Sequence, residues 1–361
     1  MRYGILGCGM MGREHIANIR LLGAEVTAIF DPDAEQQAMN RQAAPSAALV
    51  DSAADLVART DVDAILIASP NHTHLDALRT VFAGPQRPVL VEKPVVTTLA
   101  DCTALAALAR GWRAPLWVAM EYRYMPPVAA LLAEAGRVGR ARMLSIREHR
   151  YPFLEKVGDW NRFAANTGGT LVEKCCHFFD LMRLILRAEP VRVAAVGGMD
   201  VNHLGERYDG RAPDILDNAY VIVEFEGGMR AMLELCMFAE GAYFQEEITL
   251  VGDRARVAAY IPGPARFWPG GAERDAEIEI SPRDPQGPSR RVVEVDHTVL
   301  AAGDHHGGTY FQHQRFLAAA RGEGPVEVTL SDGLRAVALG AAAEQAVREG
   351  RAVTLEGWAA L

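Results

Sequence analysis

Cysteine is scarce and irregularly placed in this chain of 361 residues. The five, Cys8, Cys102, Cys175, Cys176 and Cys236, are odd in number and match neither a disulfide framework nor the spacing of a zinc site. They are expected to be reduced thiols in a cytoplasmic protein, with no metal. No stretch approaches the ~18 consecutive apolar residues of a membrane span, and Tyr3 enters a strand without the segments of a secretory leader. Basic charge is outweighed, 37 Lys and Arg against 46 Asp and Glu, for a net charge of -9. That balance excludes the concentrated basic face that a nucleic acid or an anionic membrane would require.

What is present is apolar mass: half of the residues are hydrophobic and 23% are charged, an ordinary globular balance. The length exceeds the roughly 250 residues at which one core stops growing, so more than one domain is expected. The first third alternates apolar runs with helical patterns, as parallel βαβ units do. Strands are expected at 3–6, 26–30, 62–68, 88–92 and 116–120. After the first strand comes Gly7-Cys8-Gly9-Met10-Met11-Gly12 and a helical segment to about Leu22.

That loop has a physical task. Gly7 permits a tight turn, Gly9 lets backbone N–H groups approach a pyrophosphate, and Gly12 lets the helix pack closely on the strand. Met10 and Met11 open the helix whose N-terminus faces the phosphates. Asp31 closes the second strand, where it can accept from both ribose hydroxyls and would repel a 2′-phosphate. The cofactor expected is therefore NAD, with NADP less favoured. Ser69, Pro70 and Asn71 end the third strand beside the ribose and nicotinamide. His74 joins that cofactor stretch, although His72 and His74 also read as helix-start residues.

Glu92-Lys93-Pro94 places a lysine at the carboxyl edge of the same sheet, with Glu92 beside it, and Pro94 restricts the backbone. Lys93 can reach a substrate hydroxyl there. Beyond Met120 the pattern changes to successive strands, expected at 191–196, 219–225, 230–237 and 247–251, with Glu226-Gly227-Gly228 and Gly252-Asp253 as hairpin turns. The reading is a mainly parallel, doubly wound α/β domain over 1–122 and an α+β domain with a large, open, mainly antiparallel sheet over 123–330. Residues 331–361 are expected to form a helix, capped at Ser331 and ending at Gly350, and a strand that return to the first domain. Helices at 169–186 and 308–320 are expected to cover one sheet face, leaving the other to form a homodimer or homotetramer.

The helix expected from Gly169 to Leu186 carries Glu173, His177 and Asp180 on one stripe, since residues three and four apart share a face. Gly168 and Gly169 at its start would admit a ligand closely. Tyr122, Arg123, Arg150, Trp160 and Arg162 come from the crossing and the loop before that helix, where substrate would be read. Arginine forks suit carboxylates as well as hydroxyls. A domain-contact role for each is an equal alternative.

The glycine loop, Ser69-Pro70-Asn71, Glu92-Lys93-Pro94 and Gly168-Gly169 with His177 and Asp180 together resemble the glucose-fructose oxidoreductase, inositol dehydrogenase and rhizopine-catabolism family, over essentially the whole chain. The resemblance implies a Rossmann domain and a nicotinamide-dependent dehydrogenase acting on a secondary hydroxyl of a sugar, polyol or derivative. It also implies a catalytic set of Lys93, Glu173 and His177, with glutamate where the family usually has aspartate. In this reading His177 is the base, Lys93 stabilises the developing alkoxide and Glu173 orients. The alternatives are a binding-only regulator of NAD or sugar, and a cofactor-retaining sugar hydrolase or isomerase on the same fold.

Overall fold

The computed structural model describes residues 1–284 and 287–355. Strands β1 (Arg2–Leu6), β2 (Glu25–Phe30), β3 (Ala48–Leu49), β4 (Ala64–Ile67), β5 (Val89–Glu92) and β6 (Leu116–Ala119) form a parallel sheet in the order β3-β2-β1-β4-β5-β6. Val89, Leu90 and Val91 have no exposed surface, because helices lie on both faces. Burying each such side chain contributes about 1.5–3 kcal/mol. The order reverses between β1 and β4, so a crevice opens beyond their carboxyl ends.

The second sheet has nine strands: β7 (Ala141–His149), β8 (Pro190–Gly198), β9 (Asn218–Phe225), β10 (Arg230–Cys236), β11 (Glu246–Gly252), β12 (Ala255–Ile261), β13 (Ala276–Pro282), β14 (Ser289–Val293) and β15 (Val353–Thr354). Their order is β14-β13-β12-β11-β7-β10-β9-β8-β15. Only the β7–β10 pair is parallel; the others are antiparallel. Alternate residues such as Val221, Val223, Leu233 and Leu235 point into a core with the helix Cys176–Leu186. On the opposite face Val196, Tyr220 and Ile222 are 66%, 54% and 52% exposed.

Three expectations about packing are corrected. The helix Gly308–Ala320 does not cover the second sheet: Phe316 and Leu317 belong to the first domain's core, and the helix lies against the first helix, Met10–Leu21. The last helix, Leu330–Glu349, is capped not by Ser331 but by Thr329. The Thr329 hydroxyl accepts the Asp332 amide, and the Asp332 carboxylate accepts the Thr329 amide, a reciprocal capping box. Finally, the strand Val353–Thr354 pairs with β8 rather than returning to the first domain.

The last helix itself belongs to both halves. Leu334 and Val337 complete the first core, whereas Leu339, Ala342 and Ala343 enter the second. No helix among the described residues is long and apolar enough to cross a membrane.

Candidate active site

A cleft of about 550 Å³ runs along the carboxyl edge of the first sheet and ends against the second domain. Gly7, at a φ of +78°, begins it, and an added Cβ there would lie 2.3 Å from the Ser69 Cα, so the two strand ends meet only because this residue is glycine. At Gly9 an added Cβ would meet nothing within 4 Å, and no side chain caps the helix that starts at Met10. The first-turn amides therefore open on the cleft, where they would favour an anion. Asp31 is fixed in the wall: it accepts the Cys8 amide at 2.7 Å and the Asp33 amide at 3.0 Å.

Open amides at a helix N-terminus and an acceptor at the end of β2 fit a dinucleotide. Gly7, Gly9, Met10, Met11, Asp31, Ser69, Pro70, Asn71, Glu92 and Lys93 all line the cleft. Two residues of the expected cofactor set do not line it. Gly12 packs behind, where an added Cβ would lie 3.0 Å from the Gly7 carbonyl oxygen. His74 is buried, with its ring nitrogens 2.9 Å from the carbonyl oxygens of Pro94 and Ser69, and so it joins the lysine turn to the β4 turn.

The inner end is built around Lys93. Glu92 accepts the Lys93 amide at 3.1 Å with one carboxylate oxygen, and the other lies 2.7 Å from His15 Nε2. His15 Nδ1 is in turn 2.8 Å from His313 Nε2. This buried chain ties the lysine turn to the core, and Lys93 Nζ donates to the Glu173 carbonyl at 3.2 Å across the cleft. Burial opposes the charge on Lys93, but Cys176, Glu121, Glu92 and Glu173 outweigh it and hold the ammonium above the usual lysine value.

The helix expected to be continuous from Gly169 is broken. It comprises Thr170–Glu173 and Cys176–Leu186, and the Cys175 amide reaches back to the Thr170 carbonyl at 3.4 Å in a widened turn. Gly168 and Gly169 make no room for a ligand: Cβ atoms there would lie 2.4 Å from the Thr97 carbonyl and 2.3 Å from the Glu344 carboxylate. That carboxylate accepts the Leu171 amide at 2.8 Å, holding the short helix from behind.

The break separates the two expected partners. Glu173 lines the cleft, and its Oε2 has no hydrogen-bond partner. Burial pushes its carboxyl up to about 7 against the nearby Lys93 and Lys156. His177 is not in the cleft wall. It is buried flat against Tyr122, ring centroids 4.1 Å apart, with Nε2 3.4 Å from Glu121. Burial, together with Lys93 and Lys174, holds its imidazole well below its usual value, hence neutral.

Most of the expected substrate readers are engaged elsewhere. Arg123 forms a two-pronged pair with Asp180, so Asp180 supports that arginine rather than His177. Arg150 donates to Glu148 and the Tyr151 carbonyl, and Arg162 to Glu206. Tyr122 is buried, its hydroxyl 2.6 Å from Lys174 Nζ. Trp160 alone of this group lines the cleft, edge-on to His72 at 6.0 Å.

Three residues without a motif also matter here. Glu14 accepts from Thr309 at 2.7 Å and pairs with His305 at 2.8 Å. Burial opposes both charges, yet their attraction prevails, holding Glu14 at about 2 and His305 at about 9. Lys156, from the irregular stretch after β7, lines the inner end of the cleft. No sequence spacing marks any of them; they are brought in by tertiary packing.

Comparison with known proteins agrees with the two-domain fold. Residues 1–120 match a family model described as "Oxidoreductase family, NAD-binding Rossmann fold", and residues 132–355 one described as "Oxidoreductase family, C-terminal alpha/beta domain". The chain is 29% identical to inositol 2-dehydrogenase 2 of Saccharopolyspora erythraea over 89% of its own length and 91% of that protein. It is 26% identical to inositol 2-dehydrogenase of Rhizobium meliloti over 98% and 99%. The fold is shared with a myo-inositol dehydrogenase from Corynebacterium glutamicum, with a TM-score of 0.76, 22% identity and 99% of each chain covered. With both family models matched along nearly its whole length, the chain belongs to the Gfo/Idh/MocA family of NAD-binding oxidoreductases.

Proposed function

We propose that this protein oxidises a secondary hydroxyl of a polyol or sugar, with Lys93 holding the reacting oxygen and Glu173 accepting its proton. One observation carries the reading: at the inner end of the NAD cleft an ammonium donates to the peptide carbonyl of a residue whose own carboxylate oxygen is unpartnered. Oxidation breaks the O–H and C–H bonds; the proton passes to the Glu173 carboxylate. The hydride leaves carbon with its electron pair, for which NAD, when bound, would supply the acceptor. Lys93 offsets the negative charge that develops on oxygen, an effect commonly worth a few kcal/mol. A carboxyl near 7 suits a proton acceptor at neutral pH.

The roles differ from those implied by the resemblance, because Glu173 reaches the cleft and His177 lies behind it. His177 is then a positioning residue, acting through Tyr122 and the Glu173 turn. The relatives named inositol 2-dehydrogenases support a ring polyol as the substrate class. The five free cysteines support a reducing compartment. The exposed apolar face at Val196, Tyr220 and Ile222 supports assembly with a second copy through the sheet. Single-turnover reduction of NAD with a panel of inositols, aldoses and sugar acids tests the reaction; no turnover with any of them, alongside normal NAD binding, would favour a binding-only protein.

A further inference from the structure

The inner end of the cleft holds more cationic charge than oxidation of a hydroxyl requires. Lys93 suffices for the developing alkoxide, yet Lys156 lines the same end from the second domain. Its electrostatic neighbours are Glu173, Lys93, Glu92 and Arg150, none of which belongs to the phosphate loop. It therefore stands at the substrate end and not over the pyrophosphate.

Three other cations nearby have carboxylate partners within the protein. Arg150 donates to Glu148 at 3.4 Å, Arg162 to Glu206 at 3.0 Å, and Lys174 lies 2.8 Å from Glu148. Among the described residues no carboxylate lies within ion-pair distance of the Lys156 ammonium, although burial penalises its charge and lowers its pKa. An ammonium carries three donors and no acceptor, and those of the half-buried Lys156 meet no acceptor among the described residues, which leaves them to a ligand in the cleft. A neutral polyol answers such a group with hydroxyl oxygens alone. A carboxylate adds an opposite charge to the same acceptor geometry, an attraction that strengthens as the local dielectric falls.

We infer that Lys156 is a specificity-determining residue that binds a carboxylate on the substrate, which makes the preferred substrate a polyol or sugar acid rather than a neutral inositol. The inference rests on the proposed hydroxyl oxidation for its geometry, since Lys93 and Glu173 would hold the hydroxyl while Lys156 holds the carboxylate. Atoms from separate domains would thereby fix two points of one small molecule.

Binding separates this inference from the reaction itself. The full chain saturated with NADH is titrated with glucuronate, gluconate and myo-inositol, following nicotinamide fluorescence and heat. At least one carboxylate is expected to bind roughly 10-fold or more tighter than myo-inositol. Lys156→Met is expected to abolish that preference while leaving NADH affinity within about twofold, and Lys156→Arg, keeping the charge, to retain most of it. Melting curves for both variants exclude a folding defect. Equal binding of all three compounds, or a Lys156→Met variant that loses NADH affinity and keeps the carboxylate preference, overturns the inference. Lys93-dependent oxidation of myo-inositol without any carboxylate preference would leave the proposed function standing and this inference refuted. Carboxylate binding through Lys156 without oxidation would do the reverse.

Discussion

The Lys93 ammonium donates to the main-chain carbonyl of Glu173 at 3.2 Å, so the first domain's lysine is aimed by the second domain's backbone. Replacing it tests whether that arrangement is chemical. Lys93→Ala is expected to lower the single-turnover hydride-transfer rate by roughly 10²-fold or more, with NAD affinity nearly unchanged, because Lys93 is remote from the helix N-terminus expected to receive the pyrophosphate. Stopped-flow NADH absorbance and a fluorescence titration of NAD read the two effects separately.

Glu173 gives a pH test with a worked sign. Its carboxyl, raised by burial to about 7, must be ionised to accept a proton, so kcat/KM for oxidation should climb as pH rises to about 7 and level off above it. Because the folded value exceeds the unfolded glutamate value of roughly 4.3, the group favours the folded state at low pH and loses that contribution as pH rises through about 7. Glu173→Gln should therefore abolish the acid limb, reduce the rate more than His177→Asn does, and raise the melting temperature at pH 8. A larger rate loss in His177→Asn, with the limb intact in Glu173→Gln, would return the base to His177.

Arg123 offers a stability test of a reassigned residue. Its pair with Asp180 is buried, and removing one partner of such a pair typically costs about 3–5 kcal/mol. Arg123→Met should lower stability on that scale in denaturant titrations while KM for substrate stays within about twofold. A large KM change at constant stability would restore it to the substrate site.

Asp31 should set the cofactor preference. With both carboxylate oxygens already accepting backbone amides, its charge is held at the cleft wall, where a 2′-phosphate meets repulsion. NAD is expected to bind more tightly than NADP, and Asp31→Ala to narrow the gap, in parallel titrations at one ionic strength.

The apolar sheet face predicts an oligomer. Light scattering at micromolar concentration should give a multiple of the 39.2 kDa chain mass. The double change Tyr220→Glu and Ile222→Lys, at positions exposed in the single chain, should shift it toward the monomer without lowering the fold's stability.

The glycine loop, Asp31 and the lysine turn were legible because local backbone chemistry dictates them: a positive φ, an open helix start and a strand end each leave a residue signature. The hairpins at Glu226-Gly227-Gly228 and Gly252-Asp253 were legible for the same reason. The strand Ala276–Pro282 carries a clear alternation, with Ala276, Ile278 and Ile280 buried, and is legible by the same rule of period two. The break after Glu173 was hidden, since its turn residues Lys174 and Cys175 suit a continuous helix and carry no glycine or proline to mark the widened turn. Equally hidden was the fate of the arginines: a guanidinium's fork fits an internal carboxylate as well as a ligand's, and Asp180, Glu148 and Glu206 claimed them. Lys156 carried no signature at all, as irregular backbone has no period.

The last helix has a consequence for the order in which the protein is made. Leu334 and Val337 finish one core and Leu339 and Ala343 the other, and Glu344 props the turn bearing Glu173. A nascent chain therefore leaves the ribosome with two unfinished halves and the turn bearing Glu173 unset until the segment Leu330–Glu349 emerges. Synthesis stalled before residue 330 would yield a polypeptide holding every expected active-site residue and lacking the piece that brings them into register.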